Sequence, residues 1–139
     1  MEMGSARWRI RSSRSRAALA HGGRQWRRLP EWHKSSLAET PLFIRQVQAV
    51  WDEAERTAFI EFIARNPEEG DFIPETGGVR KIRWMRTGSG KRGGARVIYF
   101  YHSADRPLYL LMVYVKARQE NLTAEEKKIV RKLAAILKS

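Results

Sequence analysis

An α+β fold is predicted for this chain: a small twisted antiparallel sheet flanked by two N-terminal helices and one C-terminal helix, in the order β-α-α-β-β-β-α. Three observations predict it. Apolar residues recur at helical spacing between Val47 and Ile63 and again between Ile129 and Leu137. Between those stretches, RKIRW (80–84) and ARVIYFY (95–101) read as strands from their alternation and their β-branched and aromatic content. RPLYLLMVYVK (106–116) is apolar on both faces, which marks a central strand covered from both sides. A chain of 139 residues suits one domain, and 42% hydrophobic content is enough for a core.

In chain order, residues 1–38 are rich in arginine, serine and isolated tryptophans, lack periodicity and are read as a disordered leader. Three accounts fit it. It is an RNA-binding arm in which Arg neutralises phosphate and Trp stacks on bases, an Arg-rich, acid-poor transit-like leader, or upstream sequence outside the functional protein, with Leu37 as an alternative start. The last is preferred, and it sets the domain at residues 39–139. PLFIR (41–45) is read as a short first strand. The apolar positions Val47, Val50, Trp51 and Ala54, then Ala58, Phe59, Phe62 and Ile63, make two helices that meet at Asp52, an N-cap with Glu55 three residues on. Asn66-Pro67 ends them, because the residue before proline is pushed out of the helical region. Residues 66–78 connect to RKIRW, where Lys81 and Arg83 share one face while Ile82 and Trp84 share the other. TGSGKRGG (87–94) is a glycine-rich hairpin turn. Thr123, with Glu126 completing a capping box, starts a last helix whose stripe is Ile129, Val130, Leu133, Ile136 and Leu137.

The charge is uneven and points to an anion. Of the formal +12, residues 1–38 hold nine Lys and Arg against two acids, and residues 39–139 hold eighteen against thirteen. Between Arg80 and Arg96 lie seven cations, Arg80, Lys81, Arg83, Arg86, Lys91, Arg92 and Arg96, with no acid among them. Edge-strand protection needs one or two charges, so this density favours nucleic acid and its phosphates. With no cysteine and only the scattered His21, His33 and His102, neither disulfides nor a metal site is expected. GSGKRGG fails as a Walker loop, since Arg92 follows Lys91 and Met85 stands where a glycine is needed. No Ser-His-Asp set is evident, and no apolar run is long enough to span a membrane. Cations can still cleave RNA, whose 2′-hydroxyl is a built-in nucleophile. The site must align it, move protons and stabilise the phosphorane. Arginine's planar fork suits the phosphate. A lysine crowded by like charges suits proton transfer.

GGVRKIRW, GSGKRGGARVIYFY and YLLMVYVK, in that order, resemble the HigB-like branch of the RelE/ParE toxin superfamily of toxin–antitoxin systems, from about Leu42 to the C-terminus. The resemblance implies a RelE-like fold and a cytoplasmic mRNA interferase, a metal-independent and cofactor-free endoribonuclease acting on mRNA in the ribosomal A site. It also implies a cognate antitoxin, commonly with a helix-turn-helix domain, through which operator DNA is bound indirectly. By the same resemblance Lys81 and Arg83 are the basic pair that holds RNA and transfers protons, Arg96 stabilises the scissile phosphate, and Lys116 is the lysine ending the last strand. Arg80, Arg86, Lys91, Arg92 and Arg118 are the further RNA-binding candidates. Relatives read Tyr-x-Lys-Asn-Glu where this chain has Tyr114, Val115, Lys116, Ala117 and Arg118, a departure that bears on substrate placement. The alternatives are a ParE-like toxin that binds DNA gyrase and cuts nothing, or a decayed toxin that only binds RNA or antitoxin.

Overall fold

The computed structural model of the chain describes residues 9–12, 36–84 and 94–139. The expected hairpin turn falls mostly outside these, as do most of the leader and Arg86, Lys91 and Arg92. Strands β1 (Arg9–Ser12), β2 (Ser36–Glu39), β3 (Asp71–Phe72), β4 (Val79–Trp84), β5 (Ala95–Phe100) and β6 (Leu108–Val115) form one sheet in the order β1-β2-β6-β5-β4-β3. Helices α1 (Pro41–Val47) and α2 (Glu53–Arg65) precede β3, and α3 (Ala124–Lys138) ends the chain. The α+β class is as predicted, with two helices ahead of the basic strand and one at the end. The first helix, however, ends at Val47, so Val50 and Trp51 lie between the two helices and not on one.

The sheet departs from expectation at its first edge. Residues Arg9–Ser12 and Ser36–Glu39, inside or across the stretch read as disordered, pair antiparallel with each other. β2 then pairs parallel with β6, so the sheet is mixed rather than purely antiparallel. PLFIR is not a strand but helix α1. Thr40 decides this: its Oγ1 accepts from the Phe43 N–H at 3.2 Å and donates to the Leu110 carbonyl at 3.0 Å. With Pro41 at the first helical position, where its missing N–H costs nothing, the chain turns into a helix. Phe43 and Val47, one turn apart, then point into the core. The loop at 66–78 also holds more order than expected, since β3 within it pairs with β4.

Elsewhere local signals hold. Asp52 Oδ1 accepts from Glu55 N–H at 2.8 Å and starts α2. Thr123 and Glu126 form the reciprocal capping box of α3, with side-chain to backbone distances of 3.1 and 2.9 Å. We expect Thr123→Ala to cost about 1 kcal/mol, measured as a lowered urea midpoint at unchanged slope.

Each face of the sheet carries its own core. Beneath α1 and α2 lie Phe43, Val47, Phe59, Ile63, Val97 and Tyr99; beneath α3 lie Val79, Ile98, Phe100, Val130, Leu133 and Ala134. β5 is buried along its whole length. The strict alternation expected of β6 breaks at a bulge: Tyr99 pairs with Leu110 and Ile98 with Met112, leaving Leu111 extra. Leu111 and Met112 consequently both pack towards α3. Of the stripe expected on α3, Ile129 and Ile136 stay exposed.

Candidate functional site

Register brings the cations together. β4 and β5 place Arg83 directly opposite Arg96, and β5 and β6 place Arg96 opposite Tyr114. Directly paired residues on neighbouring strands point to the same side. Arg83, Arg96 and Tyr114 thus form a row across three strands on the α3 face, and Lys81, two residues from Arg83, joins them. Ile82 and Trp84 point the other way into the α1/α2 core, as the alternation predicts. That reverse face is pinned, since Trp84 Nε1 donates to Glu55 Oε2 at 2.6 Å and the Phe59 and Phe62 rings each lie 5.3 Å from the Trp84 ring. A basic strand anchored so firmly from behind cannot roll its cations away.

The row differs in exposure along its length. Arg83 is exposed and Lys81 half-buried, whereas Arg96 is 1% exposed. Arg96 Nη2 lies 3.5 Å from Glu120 Oε2, and Lys81 Nζ donates to Asn121 Oδ1 at 2.8 Å. Tyr114 points its hydroxyl at the Glu120 carbonyl, 3.5 Å away. Burial pushes that hydroxyl above the ordinary tyrosine value, the Arg96 charge pulls it back, and Glu126 and Glu120 add to the rise. Tyr114 therefore stays protonated at neutral pH and is a hydrogen-bond donor beside the arginine.

The remaining candidates lie in different places. Lys116 is exposed just past β6, with its N–H bonded to the Gly94 carbonyl at 3.1 Å, one residue beyond the Ala95–Val115 pair. Arg118 is exposed in the turn that follows. Arg80 sits on the opposite face from Lys81. Its Nη1 donates to the carbonyls of Glu68 at 3.0 Å and Gly70 at 2.8 Å, and its guanidinium lies 3.9 Å from the Phe72 ring centre. That geometry braces the connection into β4. Gly70 is closely fitted there: a Cβ would meet the Tyr99 ring at 2.8 Å, and the Tyr99 hydroxyl accepts the Gly70 N–H at 2.8 Å. His102 stacks on Phe100 at the far end of β5 from Arg96, lining an open cleft of about 240 Å³ with Phe72, Arg80 and Lys138.

Tyr114, Glu120 and Asn121 were missed by sequence reasoning. Tyr114 read as part of an apolar run, and nothing in QEN (119–121) announces that it folds back onto β4 and β5. Among the described residues no group of three or more His, Cys, Asp or Glu could hold a metal ion, and no helix is long and apolar enough to cross a membrane. What the arrangement offers is phosphate recognition: two opposed arginines, a lysine and a neutral phenol on one rigid face. Residues 46–139, more than half of the chain, match the family model described as RelE toxin of RelE / RelB toxin-antitoxin system.

Proposed function

Because the chain belongs to the RelE toxin family, we propose that this toxin of a toxin–antitoxin system is a ribosome-dependent endoribonuclease that cuts mRNA in the A site and so stops translation. The observation that carries this reading is the Arg83–Arg96 pair on one face with Lys81 and Tyr114. A toxin acting only through protein contacts has no need of a phosphate cradle built into its sheet.

The chemistry needs no group that the chain lacks. The RNA 2′-hydroxyl gives up its proton as its oxygen bonds to phosphorus, the bond from phosphorus to the 5′-oxygen breaks, that oxygen takes up a proton, and a 2′,3′-cyclic phosphate remains. Arg96 and Arg83 stabilise charge on the non-bridging oxygens. Lys81 and Tyr114 are the proton-carrying groups beside them, and Lys116 and Arg118 grip the flanking backbone. In the cytoplasm a cognate antitoxin, commonly of helix-turn-helix type, silences the toxin and carries it to operator DNA.

The test is mapping of mRNA 5′ ends by primer extension shortly after induction of the full chain, beside an Arg83→Ala chain. New ends inside translated frames, absent from the Arg83→Ala cells and lost when initiation is blocked, are expected. Growth arrest with intact mRNA would move the target to a protein such as gyrase.

A further inference from the structure

Arg96 raises a problem of access. Its side chain is 2% exposed, and a phosphate must come within about 3 Å of a guanidinium to bond it. Among the described residues, the connection from β6 to α3 reaches it: Glu120 pairs with Arg96, and the next residue, Asn121, takes Lys81. Two neighbouring residues of one short loop thus hold two of the cations that a substrate phosphate would use. The loop's resting position is set from α3, because Gln119 Nε2 donates to the capping-box carboxylate of Glu126 at 2.8 Å and to the Asn121 carbonyl at 2.9 Å.

We infer that Glu120 is an internal phosphate mimic: its carboxylate occupies the subsite of Arg96, and RNA enters only when the segment at residues 119–122 withdraws. This rests on the ribonuclease reading above and extends it to what sets substrate affinity. The seal is weak by construction. Glu120 is 51% exposed and its contact with Arg96, at 3.5 Å, is at the long end for an ion pair. A single phosphate competes with it poorly, whereas a strand that also engages Arg83 and Lys116 displaces it. Glu120 consequently lowers affinity for stray RNA and leaves a substrate held at several phosphates little affected.

The experiment measures binding of the full chain to a short single-stranded RNA carrying 2′-O-methyl groups, which cannot be cleaved, by fluorescence anisotropy. Glu120→Gln is expected to bind up to about fivefold more tightly, the range of an exposed ion pair. Asn121→Ala is expected to shift affinity the same way, and the Glu120→Gln gain should vanish when combined with Arg96→Lys. An unchanged or weakened affinity in Glu120→Gln overturns the mimic, as does a gain that survives Arg96→Lys, which would reflect net charge alone. Glu120 is half exposed, so its exchange leaves both cores intact, and Asn121→Ala probes the same loop through its second contact. If Arg83→Ala leaves RNA binding untouched, the RNA reading itself fails and takes the mimic with it. If Arg83→Ala weakens binding while Glu120→Gln fails to tighten it, only the mimic falls.

Discussion

Arg96→Lys is expected to lower mRNA cleavage by roughly 10²- to 10³-fold while leaving the chain folded, the usual loss when one preorganised donor to a developing oxyanion is removed. Lysine keeps the charge and much of the apolar stem that β5 buries, so packing is largely retained. What it lacks is the planar fork that can face Glu120 in the free protein and a phosphate in the complex. The substitution therefore separates charge from geometry. Single-turnover cleavage of mRNA on programmed ribosomes, read beside a thermal melt, checks it. Full activity in a chain with Lys at this position would show that a cation alone suffices there and that the planar fork has no part in the reaction. Arg96→Ala is the less informative change, because at 1% exposure on a central strand it also opens a cavity.

Arg56→Met is expected to cost about 3–5 kcal/mol of stability, the largest effect of any polar substitution proposed for this molecule. Glu39 is fully buried in β2, and Arg56 Nε donates to its Oε2 at 2.9 Å, while the Arg9 Nε lies 3.6 Å from Oε1 and is half exposed. Removing Arg56 leaves the carboxylate buried with a weaker counter-charge. The pair is not ideally satisfied even in the intact protein, since Arg56 Nη2 is buried without a hydrogen bond. Replacing both members with methionine should consequently recover most of the loss, because two apolar side chains of similar volume need no solvation. Urea denaturation of the two single variants and the double variant closes the cycle. A single variant as stable as the unaltered chain would show that the pair contributes nothing to holding β2 against α2.

The parts of the fold legible from sequence were those whose cause is local. The caps at Asp52 and Thr123 need only a side chain and a backbone N–H three residues apart, and both form as read. The alternation in RKIRW and the two-sided burial of β6 follow from a period of two, and they correctly put Lys81 and Arg83 on one face. PLFIR shows the limit. Its residues suit a strand or a helix, and what selects the helix is Thr40 anchored to Leu110, a contact across 70 positions. The site divides in the same way: the cationic residues were visible, but their partners Glu120 and Asn121 come from a turn with no pattern of its own.

The sequence by itself determined the α+β class, the basic strand, the central strand and the capped final helix, because each rests on periodicity or on short-range hydrogen bonds. Only the tertiary structure decided that β2 runs parallel to β6, that a bulge turns Leu111 and Met112 to the same side, and that Arg96 is buried under Glu120 while Arg80 faces away. Those outcomes depend on which distant segments share a register. Register is settled by the competition of whole faces for burial, which no local window of residues contains.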